Sequence, residues 1–305
     1  MKNFDLAQTF QLAGIDVRGR LVRIGPALDH VLDAHAYPQA VAEMLAETLV
    51  LGATLASALK YDGLFTLQVQ SDGPISLLVA DVTSSGELRG YARFDEDKVA
   101  EAATQDTTQD TTQERAKVPR MLGSGHLAFT VDQGPNMERY QGVVALEGAT
   151  LAACAQTYFR TSEQLETVIF LGSDVGSKNR TAGALLIQRM PHDNSKDTDD
   201  VEDNWHRVVV LLASLKLEEL LDDELSTEDL LYRLYHDDGV RTYEPKPLVH
   251  KCRCSRKKVE TTLKSLPRAE VTDADGTCQV NCELCATDYN FTAVDLDRIY
   301  GGSDE

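Results

Sequence analysis

Four cysteines near the C-terminal end constrain this chain more than any other feature. Cys252 and Cys254 form a C-x-C pair, and Cys282 and Cys285 form a C-x-x-C pair after an interval of 27 residues. Two close thiol pairs suit a tetrahedral metal site, because each short turn brings two ligands to one point. Zinc favours thiolate sulfur and demands neither a redox change nor a d-electron geometry. The expectation is one Zn(2+) per chain, held by Cys252, Cys254, Cys282 and Cys285. A permanent structural staple with no switching role satisfies the same spacing. The C-x-C half argues for more than a staple, since zinc ribbons usually present two C-x-x-C turns. Extended residues i and i+2 lie up to roughly 7 Å apart at Cα, whereas a disulfide needs about 4.4–6.8 Å. Cys252 and Cys254 can therefore close on each other only with local bending, and strained disulfides are the reversible kind. The flank is basic, with Lys251, Arg253, Arg256, Lys257, Lys258, Lys264 and Arg268 against Glu260. Cationic neighbours favour thiolates, the form that binds zinc and reacts with oxidants.

A length of 305 residues allows two domains and a sizeable core, and 42% hydrophobic residues place the chain among globular proteins. A net charge of −19 argues against nucleic acid as the main partner. Met1 to Arg20 carries no apolar run of signal-peptide length, and no stretch reads as a membrane span. The expected location is cytoplasmic, where thiols stay reduced and a four-cysteine cluster reads as a metal site.

Hydrophobic periodicity predicts a strand over Val17 to Ile24 and a long helix from Tyr37-Pro38 to about Lys60. Leu64 to Gln70, Ile75 to Val82 and Leu88 to Phe94, joined by short glycine-bearing turns, predict an antiparallel meander. Glu101 to Ala116 repeats Gln-Asp-Thr-Thr and predicts a mobile surface loop. Gly125 to Asp132 and Tyr140 to Leu146 predict two more strands. Thr150 is placed to cap a helix through about Arg160, within which Cys154 reads as a buried hydrophobe. Thr167 to Gly172 and Gly183 to Met190 are expected to complete the sheet.

After Met190-Pro191 the composition shifts. Asp193 to Asp238 holds fifteen acids against Lys196, Arg207, Lys216 and Arg233, a local charge of −11. Apolar residues persist at helical spacing: Trp205, Val208, Val209, Leu212 and Leu215, then Leu220 and Leu221, then Leu230, Leu231, Leu234 and Tyr235. Ser226 with Glu228 and Asp229 reads as a capped helix start. Composition supports equally a solvated helical face on an ordinary core and a marginal helical linker that can melt. Tyr243-Glu244-Pro245-Lys246-Pro247 breaks the helical pattern and opens the cysteine-bearing domain. There Ser255 caps a helix, Asp273 to Gly276 turns, Asp288 to Phe291 is a strand, and Thr292 caps a last helix to Tyr300. A domain of about 60 residues with few large apolar side chains needs a metal or disulfide to fold. Cys278 lies outside the ligand pattern and reads as a spare thiol.

Cys252-Arg253-Cys254-Ser255 before a helix, then Cys282-Glu283-Leu284-Cys285 and Tyr289-Asn290-Phe291, resembles the C-terminal switch of the bacterial redox-regulated zinc-binding heat-shock chaperone of thirty-three kilodaltons. The likeness extends through Tyr37-Pro38-Gln39, Asp72-Gly73-Pro74, Arg89-Gly90, Tyr140-Gln141-Gly142-Val143-Val144, Glu163-Gln164-Leu165 and Tyr232-Arg233-Leu234-Tyr235-His236, in order. The resemblance implies an α+β fold, mainly antiparallel sheet with packed helices, followed by a helical linker and a small C-terminal zinc domain. The corresponding parts are residues 1–190 for client binding and dimerisation, 191–245 for a metastable linker, and 246–305 for the zinc-binding redox switch. It further implies an ATP-independent holdase that binds unfolding client proteins. On oxidation it is expected to form Cys252–Cys254 and Cys282–Cys285 disulfides and to dimerise. For the linker, the resemblance selects the meltable reading over the solvated face.

The sequence holds no P-loop, dinucleotide fingerprint, H-E-x-x-H or nucleophile elbow, and its seven histidines form no metal-spaced pair. No catalytic constellation is present, so an enzyme is not expected. A zinc-ribbon nucleic-acid-binding protein is the alternative. The basic run Arg253 to Lys258 supports it and the overall charge opposes it. A zinc hydrolase or deaminase fits poorly, because four cysteine ligands leave no open coordination position and no H-x-E partner exists.

Overall fold

The computed structural model describes residues 3–104, 117–134, 137–191 and 198–301. They form two compact units, one ending at His250 and the other beginning at Lys251. The first runs β1 (Leu6–Leu12), β2 (Val17–Ile24), α1 (Pro26–Leu32), α2 (Gln39–Ala58), β3 (Leu64–Ser71), β4 (Ile75–Thr83), β5 (Glu87–Phe94), α3 (Glu96–Thr104), α4 (Lys117–Met121), β6 (Gly125–Asp132), β7 (Tyr140–Ala145), α5 (Leu151–Tyr158), β8 (Thr167–Asp174), β9 (Thr181–Arg189), α6 (Thr198–Ala213), α7 (Leu217–Leu220), α8 (Thr227–Tyr235), β10 (Val240–Thr242), β11 (Lys246–Pro247) and β12 (Val249–His250). The second holds α9 (Arg256–Lys264), α10 (Arg268–Val271), β13 (Cys278–Asn281), β14 (Asp288–Phe291) and α11 (Ala293–Gly301). This is the expected α+β class with mainly antiparallel sheets.

The meander β3–β4–β5 forms as its alternation dictates, with Phe65, Leu67 and Val69 fully buried on one face. It lies in a sheet ordered β12-β5-β4-β3-β6-β7. The strands expected to complete that sheet do not join it. β8 and β9 instead extend a second sheet, ordered β10-β1-β2-β9-β8 with β11 also paired to β1. The reason is double coverage of β9. Ala182, Ala184 and Leu186 face the core shared with α2, while Leu185 and Ile187 face α6 to α8. A strand buried on both faces must be apolar throughout, and its neighbours are then chosen by layer packing.

Helix α2 follows Pro38, whose carbonyl accepts the amides of Val41 and Ala42. It is long and apolar enough by length and composition to cross a membrane, yet 83% of its apolar window is buried within the first unit. Its buried Glu47 shares Lys117 with Glu43, at 3.2 and 3.0 Å. Burial pushes the Glu47 carboxyl up, and the Lys117 ammonium opposes this. Thr150 caps α5 as predicted, accepting the Ala153 amide at 3.2 Å. Of the stretch Glu101 to Ala116 expected as a loop, residues 101–104 finish α3 and 105–116 lie outside the described residues.

From residue 198 the acidic segment folds as amphipathic helices whose apolar faces pack on the second sheet. Val208, Leu212, Leu215, Leu220, Leu230, Leu231 and Tyr235 are buried with Phe10, Leu12, Val17 and Leu21. Ser226 accepts the Asp229 amide at 3.0 Å and starts α8. The proline-rich stretch after α8 pairs at sheet edges through β11 and β12. The first compact unit therefore continues to His250, past the Tyr243–Pro247 break at which the sequence pattern opens the cysteine-bearing region.

Candidate metal centre

The second unit has a small core of Leu263, Cys278, Phe291, Leu296 and Ile299. Around it the chain places the four expected cysteines on two short segments. Cys252 and Cys254 lie on the extended stretch entering α9, and Ser255 caps that helix by accepting the Lys258 amide at 3.3 Å. Cys282 and Cys285 lie on the turn between β13 and β14, whose strands pair from Cys278↔Phe291 to Asn281↔Asp288. That turn is closed by the Cys285 and Ala286 amides, which donate to the Cys282 carbonyl at 3.2 and 2.8 Å. Ala286 takes a left-handed φ of 53° to complete it, a conformation uncommon for a residue bearing a Cβ.

These two segments bring all four Sγ atoms within 4.8 Å of one another. Cys252 and Cys282 are 3.8 Å apart, and Cys254 and Cys285 are 3.4 Å apart. Zinc–thiolate bonds of about 2.3 Å in a tetrahedron put neighbouring sulfurs roughly 3.8 Å apart, so the donor set fits that ion in both chemistry and size. Among the described residues no other group of Cys, His, Asp and Glu gathers so closely. All four positions are protein thiols, which leaves no site for a reacting water.

The sulfurs carry their own hydrogen-bond shell. Tyr289 Oη donates to Cys254 Sγ at 3.1 Å, and Thr287 Oγ1 lies 3.2 Å from Cys285 Sγ. Burial pushes the Cys254 thiol up to about 12, the neighbouring thiols push the same way, and Tyr289 opposes them. Burial also raises Cys282. Two guanidiniums of the basic flank are engaged by acids and by an aromatic ring. Arg256 pairs with Asp295 at 3.0 Å and with Glu260, and lies over the Phe291 ring, while Arg268 pairs with Asp297. These guanidiniums hold α9, α10 and α11 together.

Cys278 faces the small core outside the cluster, and Cys154 is buried in α5 with its thiol pushed up to about 11. Both therefore lie where the sequence put them. The cysteine spacing alone does not mark Tyr289 as a donor to the cluster. Its position four residues beyond Cys285, on the strand leaving the turn, is the signal that could have found it. Donors to metal ligands typically contribute 10–100-fold to metal affinity. Tyr289→Phe is expected to weaken zinc binding about tenfold, measured by competition with a chromophoric chelator; unchanged affinity would remove Tyr289 from the site.

Comparison with known proteins places this geometry in a family. The model of the family described as Hsp33 protein matches residues 5–292. The "33 kDa chaperonin" of Caulobacter vibrioides is 40% identical over 292 residues, covering 93% of this chain and 94% of the relative. That of Azotobacter vinelandii is 38% identical over 306 residues, covering 99% and 96%. The crystal structure of the 33 kDa chaperonin (heat shock protein 33 homolog) from Thermotoga maritima superimposes with a TM-score of 0.76 at 22% identity, over 97% of this chain and 98% of that one.

Proposed function

The chain belongs to the Hsp33 family, a family of chaperones, and on that premise we propose that it is a holdase switched on by oxidation of its four-cysteine centre. The observation that carries the reading is the clustering of four sulfurs within 4.8 Å in a unit whose buried core, among the described residues, comprises five. Cys252, Cys254, Cys282 and Cys285 hold one zinc in the reduced state. When bound, that ion keeps the four sulfurs as thiolates and ties the segment entering α9 to the β13–β14 turn. A peroxide takes two electrons from each thiolate pair. With two protons it leaves as two waters, and a sulfur–sulfur bond remains. The pairing is Cys252 with Cys254 and Cys282 with Cys285. Neither pair then retains a thiolate for the cation, and the unit beginning at Lys251 loses what offset its missing core.

The linker, residues 191–245, follows. Its local charge of −11 gives short helices little margin, since helices of this length are marginal alone. Melting uncovers Leu212, Leu220, Leu230 and Leu231 together with the sheet face of Phe10, Leu21 and Ile187, all now buried. Such a contiguous apolar surface binds unfolding chains without ATP and favours dimerisation of the remaining domain, 1–190. Light scattering of a heat-unfolding protein tests this. Peroxide-treated protein should suppress aggregation at near-equimolar amounts and reduced, zinc-loaded protein should not. Equal suppression by both would reject the switch.

A further inference from the structure

Three residues on adjacent strands of the second sheet stand in one row. Arg23 of β2 is in register with Gly183 of β9, and Gly183 is in register with Gly172 of β8. All three face α7 and the turn that leads to α8. A Cβ on Gly183 would lie 2.7 Å from Leu220 Cγ, and one on Gly172 would lie 2.6 Å from Leu217 Cδ1. Leu217 and Leu220, one helical turn apart on the same face of α7, are thus seated in a notch that only glycines leave open. At the end of the row Arg23 is fully buried. Its Nη1 donates to the Asp222 and Leu225 carbonyls at 3.1 and 2.6 Å, and its Nη2 donates to the Glu219 carbonyl at 3.1 Å.

We propose that Arg23, Gly183 and Gly172 form a single latch that fixes residues 217–226 on the sheet, and that its release frees the linker. The proposal rests on the chaperone reading above and names what keeps that chaperone off. The chemistry makes the latch cooperative. A buried guanidinium needs its donors satisfied, and Arg23 satisfies two of its nitrogens through three carbonyls of this one segment, while Nε has no partner in the structure. Partial lifting leaves the charge buried and under-bonded, so the segment leaves whole. The carbonyls belong to a stretch rich in acids, Glu218, Glu219, Asp222, Asp223 and Glu224, for which Arg23 is also a countercharge. Burial pushes Arg23 down to about 10, with Asp222 opposing, so it stays protonated at neutral pH.

The test uses full-length, reduced, zinc-loaded protein with no oxidant. Arg23→Met removes the three donors, and Gly183→Ala fills the notch without touching Arg23. Both should speed amide exchange of residues 217–226 on the order of 100-fold with zinc content unchanged, Arg23→Met because charge-assisted hydrogen bonds are the strong ones and Gly183→Ala because the added methyl would sit 2.7 Å from Leu220 Cγ. Arg23→Lys, a single ammonium that cannot span three carbonyls, should fall between Arg23→Met and the parent. Unchanged exchange in Arg23→Met and Gly183→Ala would overturn the latch. So would loss of protection spread through β2, β9 and α2, which would make Arg23 an ordinary core residue. Aggregation suppression read on the same samples separates the two ideas. Local release with gained activity supports both, and local release without activity keeps the latch and rejects the linker's part in the proposed function.

Discussion

Changing Cys282 to Ser will strip the second unit of its metal and of its fold. A structural zinc contributes about 10–16 kcal/mol to a small domain, which matches or exceeds the whole stability of a typical domain, about 5–15 kcal/mol. Among its described residues the unit has only Leu263, Cys278, Phe291, Leu296 and Ile299 buried at its centre, and one of these is a thiol. Three remaining thiols and a hydroxyl hold zinc far more weakly, since a serine hydroxyl stays protonated where a cysteine gives a thiolate. At limiting metal, zinc should fall from about one per chain to a small fraction, and amide protection from residue 251 onward should disappear. The part of the first unit before residue 190 has its own core and should stay folded, while α6 to α8 should lose protection along with the second unit. Cys278→Ser and Cys154→Ser should keep full zinc, because both thiols lie outside the cluster. Full zinc in Cys282→Ser at limiting metal would dismiss the ligand assignment.

Much of the fold was legible because the signals are local. The alternation of Phe65, Leu67 and Val69, the helical spacing from Val41 to Leu55, and the caps Thr150, Ser226 and Ser255 act within a few residues. All appear where the pattern puts them. The cysteine cluster was legible for a similar reason, since two short segments each carry two ligands. What escaped depends on distant partners. β1 reads Leu-Ala-Gln-Thr-Phe-Gln-Leu and buries Gln8, which breaks the alternation a strand should show. The second sheet exists through pairing of Val17–Ile24 with Thr181–Arg189, a separation no periodicity reports. Arg23 is fully buried because carbonyls some 200 positions away receive it, partners that no local pattern reports. Tyr289 likewise gains its role only when the β13–β14 turn brings it to Cys254.

Oxidation should melt the chain from one end while the other end holds. The reduced, zinc-loaded protein should protect α6 to α8 and the second unit, because the former bury Val208, Leu212, Leu230, Leu231 and Tyr235 and the latter is closed by four ligands. Loss of the thiolates removes the largest stabilising contribution to the second unit. The acidic helices then depend on their own packing and on the Arg23 row against a local charge of −11. Amide exchange in both regions should accelerate by several orders of magnitude, from values set by folded structure towards those of an open chain. The domain before residue 190 should keep its protection, since the meander and α2 share a core that involves no cysteine of the cluster. The most direct test is hydrogen exchange on reduced and peroxide-treated protein with zinc release followed in parallel. Protection of residues 198–301 is expected to disappear with the zinc while that of β2 to β9 remains. Protection of 198–301 that survives complete zinc release would contradict the switch.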